Sequence, residues 1–189
     1  MIAADLIQRA RVSVLFDAVQ PFLWSDEELL DFLDEATTEA GKRNPLCQRA
    51  AIETVTLGAG QVMAALTVKT ARVLAVKLGA HDLTAQSNQI VIASQLDNHG
   101  KTGTPQCWSA TPSFLLVDIA SELSHDLTLM IQKLPASILS ESQTPEIPES
   151  MQRGLLDWVA YRALSKPDGE IQDMNKAENH AAKFAQVFG

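Results

Sequence analysis

The chain has 189 residues, with a formal net charge of -8, 46% hydrophobic and 20% charged residues. That length and balance imply one compact unit, or one core carrying an inserted subdomain. No apolar run approaches the roughly 18 residues of a membrane helix, Asp5, Arg9 and Arg11 interrupt the N-terminal apolar stretch where a secretory signal would be continuous, and no segment is basic enough to grip nucleic acid.

Leu6, Ala10 and Val14 recur at four-residue spacing, with Ile7 and Leu15 beside them, which predicts an amphipathic helix over 3–19. Pro21 follows its end. A second helix should start at Ser25: its hydroxyl can accept backbone N–H groups, Glu28 stands three positions on as a capping box requires, and Asp26, Glu27 and Glu28 suit the positive end of the helix dipole. Leu29, Leu33, Ala36 and Ala40 form its face, and Gly41 and Pro45 mark its exit.

Between about 54 and 135 the apolar runs become short and β-branched. Segments 71–77, 89–93, 113–118 and 127–133 read as strands, separated by turn signals at Gly58-Ala59-Gly60, Asp97-Asn98-His99-Gly100 and Thr102-Gly103-Thr104-Pro105. Residues 97–112 lack apolar periodicity, which predicts a long exposed loop.

Helical spacing returns at Met151, Leu155, Trp158, Val159 and Arg162, led in by Pro145 and Pro148. After Pro167, Asp168 can cap a last helix with the stripe Ile171, Met174, Ala177, Ala181, Phe184 and Phe188. The expected fold is therefore α+β: an α-helical bundle from residues 1–53 and 136–189, with a small antiparallel β subdomain inserted at 54–135.

No chemical constellation emerges. Gly100-Lys101-Thr102 is not a phosphate-binding loop, because Gln95 stands where that motif needs glycine and Gly103 and Pro105 preclude a helix at Lys101. His81, Asp82 and His99 lack a zinc framework, and Cys47 and Cys107 have no partner at metal-ligand spacing and read as reduced thiols. His125 and His180 stand apart from such groups, and no Gly-x-Ser-x-Gly elbow occurs. No catalytic, metal or cofactor-binding residue is nominated.

The segment Pro148 to Asp168 (PESMQRGLLDWVAYRALSKPD) resembles the signature of tailed-bacteriophage head-to-tail adaptor, or connector, proteins. The C-terminal Phe188-Gly189 is similar to their ending, and Pro21 to Leu30 (PFLWSDEELL) to the start of their second helix. Gly58-x-Gly60-Gln61, Arg72–Val76, Leu96-Asp97 and the Pro105…Trp108 segment fit in outline. The likeness covers nearly the whole chain, loosely between about 81 and 112.

The resemblance implies a structural, non-enzymatic protein without cofactor. Its subunits would form a homo-oligomeric ring, of about twelve copies, under the portal protein, in the virion neck after assembly in the host cytoplasm. The ring would let double-stranded DNA pass without sequence-specific binding, which an acidic lining suits, and would carry the tail or next neck protein. Trp24, Leu155, Trp158, Tyr161, Arg162 and Asp168 are the signature residues, read physically as core, helix-end and cap positions. Phe184, Val187, Phe188 and Gly189 are candidates for the portal contact, although Phe184 and Phe188 equally fit a core stripe; His99, Lys101 and Trp108 are candidates for the tail contact. The rival readings are a neck completion or tail-terminator protein, which would be dominated by strands, and a virion-associated cell-wall hydrolase, which would need a paired acid and base.

Overall fold

The computed structural model describes residues 1–67, 69–167 and 172–189. The fold is α+β and divides into two compact units. One comprises Met1–Gln48 and Leu134–Gly189; the other, Arg49–Lys133, is inserted into it.

The helical unit contains α1 (Ala3–Ala10), α2 (Asp26–Arg43), α4 (Leu155–Leu164) and α5 (Met174–Phe188). Helix α4 packs against the other three. The capping box forms as its residues demand: Glu28 N–H donates to Ser25 Oγ at 3.1 Å, and Ser25 N–H donates to Glu28 Oε2 at 3.1 Å. Leu29, Leu33, Ala36 and Ala40 bury the stripe of α2 against Leu6, Ala10, Leu155, Val159 and Phe184. Gly41 is required here, because a Cβ at that position would run into the Pro135 ring.

Three local expectations change. The predicted helix over 3–19 stops being regular at Ala10, widens into one π turn (Arg11–Leu15), and ends at Phe16 in the left-handed conformation (φ 55°). Arg11, the first residue of that turn, is buried and bonds to Asp17, Trp24 O and Asp26. The C-terminal helix begins later than Pro167 suggests: its cap is Asp173, whose carboxylate accepts from Lys176 N–H at 3.1 Å. Asp168 and Ile171 lie outside the described residues, and Met174 is exposed. Helix α4 is preceded by a 3-10 turn, Gln152–Gly154.

In the inserted unit, β1 (Arg49–Leu57), β3 (Thr70–Leu78), β4 (His81–Asp82) and β10 (His125–Lys133) form one antiparallel sheet in the order β1-β10-β3-β4. The nine-residue β1 pairs along its whole length with β10, from Arg49 opposite Lys133 to Leu57 opposite His125. Alternation puts Leu127, Leu129 and Ile131 of β10 inside, as period-two patterning requires. A second sheet, β2-β8-β7-β5, uses β2 (Met63–Ala65), β5 (Thr84–Ala85), β7 (Cys107–Ala110) and β8 (Phe114–Val117). Short β6 (Thr102–Gly103) and β9 (Ala120–Ser121) pair in parallel, as do β5 and β7. The two larger sheets share a core of Val55, Leu57, Val76, Leu115, Val117 and their neighbours.

Two segments here differ from the sequence reading. Residues 89–93 are not a strand: they belong to helix α3 (Asn88–Asp97), whose N-cap Ser87 accepts from Ile90 N–H at 3.4 Å. Residues 97–112 are not one long loop, since they contain β6 and β7.

Candidate interaction surfaces

Each unit presents an apolar feature at its surface that its local geometry defines. In the helical unit it is the segment from Phe16 to Leu23, and its geometry is set by one buried ion pair. Arg11, almost wholly buried, donates through Nη1 to Asp17 Oδ2 at 2.5 Å and through Nη2 to Trp24 O at 2.6 Å and Asp26 Oδ1 at 2.7 Å. Asp17, equally buried, accepts from Leu23 N–H at 2.9 Å. The Arg11 guanidinium also lies 4.1 Å from the centre of the Phe22 ring. Buried charges persist only when paired and hydrogen-bonded, so the two ends of the segment are pinned to the same guanidinium. What the pin holds outward is apolar: Phe16 is 84% exposed and Val19 80%, with Leu23 and Val12 exposed beside them. A left-handed backbone at a bulky residue such as Phe16 costs roughly 1–3 kcal/mol and survives only where its surroundings enforce it.

In the inserted unit the feature is a cleft of about 510 Å3 between α3 and the β8–β9 segment. Val62, Ile92, Leu96 and Ile119 give it an apolar lining; His99 and Lys101 stand on its polar side, and none of its lining residues is acidic. Helix α3 buries only Val91 fully and leaves Ile90, Ile92 and Leu96 exposed. The turn at the end of α3 needs Gly100, whose φ is +76°.

The candidate tail-contact residues thus separate. His99 and Lys101 are exposed at this rim. Trp108 is not at the surface: it is buried in the core and its Nε1 donates to Leu83 O at 3.1 Å, so it supports β7 and cannot itself be presented to a partner. Lys101 leads into β6 rather than into a helix, so the phosphate-loop geometry is absent at that position.

The candidate portal-contact residues separate in the same way. Phe184 is fully buried, its ring centre 4.9 Å from that of Trp158. Phe188, 1% exposed, stacks 4.5 Å from Phe184. Gly154 makes room for this end of α5, since a Cβ there would come within 2.9 Å of Val187 and 3.0 Å of Phe188. Both aromatic rings are therefore core, whereas Val187 and Gly189 are exposed.

The signature residues are mostly architectural. Leu155 and Trp24 are buried; Trp158 meets Tyr161 edge-on at 5.2 Å. Arg162 donates to Glu35 Oε1 at 2.9 Å and lies over the Phe32 ring. Lys166 donates to Glu28, and that hydrogen bond, helped by the Ser25 N–H, holds the Glu28 carboxyl below its ordinary pKa. Arg162, Lys166, Glu28 and Asp31 edge a shallow polar hollow beside Tyr161. His180 Nδ1 and Asp157 Oδ1 are 2.8 Å apart between α5 and α4. Burial pushes the pKa of the Cys47 and Cys107 thiols up, Asp118 adding to the effect at Cys107, and both cysteines are free. Among the described residues no cluster of His, Cys, Asp or Glu could hold a metal ion, and no helix is long and apolar enough to cross a membrane.

The match that decides the family spans the whole chain: the model described as SU10 adaptor protein covers residues 1–189. The chain belongs to that family of phage adaptors. The resemblance drawn from Pro148 to Asp168 and from Pro21 to Leu30 is thereby supported. A search of curated proteins found no significant match to this adaptor. As a phage adaptor it is a virion component that interacts with other phage structural proteins. Nothing in the sequence marks the Phe16–Leu23 segment as a surface feature, since Arg11 and Asp17 read there as ordinary charges near a helix end.

Proposed function

We propose that this adaptor forms a closed homo-oligomeric ring, of about twelve copies, beneath the portal in the neck of a tailed phage. The ring prolongs the DNA channel, passes double-stranded DNA without reading its sequence, and gives the tail its attachment platform. Assembly takes place in the host cytoplasm, and the protein acts by contact alone, without catalysis. The observation that carries this reading is a whole-length adaptor match on a chain that exposes a separate apolar surface on each of its two units. A joining protein needs distinct faces for distinct neighbours.

The portal contact is assigned to the exposed end of α5, Val187 and Gly189, with Phe184 and Phe188 holding that end in place. The tail contact is assigned to the polar rim at His99 and Lys101, with Trp108 holding β7 in the core of the same unit. Native mass spectrometry of the chain mixed with its portal tests the reading, with a closed ring on the portal as the expected species. Val187→Asp, placed beside Gly154 at the negative end of α5, should lower stability by roughly 1–2 kcal/mol without unfolding the chain and weaken portal capture. A stable monomer that never joins the portal overturns the function; a Val187→Asp chain that joins normally overturns the portal assignment alone.

A further inference from the structure

The apolar segment and the apolar cleft have the properties of two halves of one contact. We infer that the Phe16–Leu23 segment of one copy seats in the cleft between α3 and the β8–β9 segment of the next copy, and that this head-to-tail contact closes the ring. The inference rests on the ring reading above and names the surface that makes it.

Three observations favour a second copy as the occupant. The first is electrostatic. Copies that each carry a net charge of -8 repel one another, so self-association needs surfaces that bring no acids together. Residues 18–23, Ala-Val-Gln-Pro-Phe-Leu, carry no charge, and the one acid in the segment, Asp17, is buried and paired with Arg11, which also holds Asp26 beyond the segment's end. The cleft lining holds no acid and one cation, Lys101. The second is shape. Phe16, Val19 and Leu23 project from a segment pinned at both ends by Arg11, while the cleft, at about 510 Å3, falls within the roughly 300–1,000 Å3 of sites that enclose a group of such atoms. A pinned segment loses little conformational freedom on docking. The third is topology. The two surfaces differ and lie on one chain, so the contact is heterologous, the kind that builds a ring when the rotation it imposes closes.

A single short segment covers much less than the roughly 800 Å2 per partner of a stable pair. One contact alone is therefore weak, and stability comes with closure. The expected subunit therefore stays dispersed at low concentration and assembles on a template. His99 and Lys101 stand on the polar side of the cleft and remain open to the tail when its apolar floor, Ile92, Leu96 and Ile119, is covered.

The test uses two substitutions at exposed positions that folding does not depend on. Val19→Lys charges the segment, and Leu96→Glu, at a position 72% exposed, charges the cleft. Assembly of the full chain is followed by sedimentation velocity, alone across a concentration series and on the portal. Each variant by itself should need at least roughly tenfold more protein to assemble than the unaltered chain. An equimolar mixture of the two should recover, because each lysine-bearing segment then meets a glutamate-bearing cleft and each unaltered segment meets an unaltered cleft. Recovery on mixing is specific to a head-to-tail contact between these surfaces. If the unaltered chain assembles and both variants still match it, or if both fail and mixing restores nothing, this contact is wrong and the ring stands. If the unaltered chain never assembles with or without the portal, the ring reading and the contact fall together.

Discussion

Replacing Phe188 with alanine separates a packed C-terminus from one held out for a partner. The Phe188 ring is 1% exposed and stacks 4.5 Å from Phe184, which in turn sits 4.9 Å from Trp158. Its neighbour Gly154 has no side chain, and a Cβ there would lie 3.0 Å from the ring. Truncation therefore removes a buried aromatic between α5 and the start of α4 and leaves a cavity that the glycine cannot fill. Losses of this kind cost about 3–5 kcal/mol, a large share of a stability of roughly 5–15 kcal/mol. For a helical unit made from Met1–Gln48 and Leu134–Gly189, the fall in Tm should be at least about 10 °C. Circular dichroism melting reads it directly, and Trp24 and Trp158 fluorescence reports the same unit. A Phe188→Ala chain that melts within about 2 °C of the unaltered protein would refute the packing argument and return the ring to the role of a docking group.

Other expectations follow from single contacts. Arg11→Met strands the buried Asp17 carboxylate and should cost about 3–5 kcal/mol, and adding Asp17→Asn should recover part of it; urea unfolding that gives equal losses for both chains would sink the idea. Gly41→Ala drives a methyl into the Pro135 ring and should destabilise by roughly 1–3 kcal/mol in a thermal melt; an unchanged or raised Tm would contradict it. Glu28 has a lowered pKa in the fold, because Lys166 and the Ser25 N–H favour its ionised form. Its contribution is present above the ordinary value near ~4.3 and is lost as pH falls through the lowered folded value. Solvent screening keeps it under about 1 kcal/mol. Stability measured against pH should fall less steeply in that window for Glu28→Gln than for the unaltered chain.

Much of the helical unit is legible in the sequence because its signals are local. Ser25 and Glu28 specify a helix start by hydrogen bonds that any reader can place, and Leu29, Leu33, Ala36 and Ala40 repeat at helical period. Strand β10 is equally plain, since Leu127, Leu129 and Ile131 alternate with exposed residues. Helix α3 is hidden for the opposite reason. Gln89-Ile90-Val91-Ile92 is β-branched and only Val91 is fully buried, so there is no amphipathic stripe to read, and the deciding feature is the Ser87 cap. Trp108 looked like a loop aromatic because β7 is short and its hydrogen bond goes to Leu83, distant in sequence. The Asp173 cap was obscured by Asp168, which has the same chemistry a few positions earlier. The pin between Arg11 and Asp17 was unreadable because charged residues near a helix end normally face water.

The register of β1 and β10 has a kinetic consequence. Arg49 lies opposite Lys133, so the insertion enters and leaves through adjacent strands. Until that pairing forms, Gln48 and Leu134 are the ends of a long flexible loop, and joining the two halves of the helical unit carries its closure entropy. Once β1 and β10 zip together, the same two residues become neighbours, and α2 meets α4 as if the intervening segment were a short turn. The part that interrupts the bundle thus also holds together the two chain ends that the bundle joins.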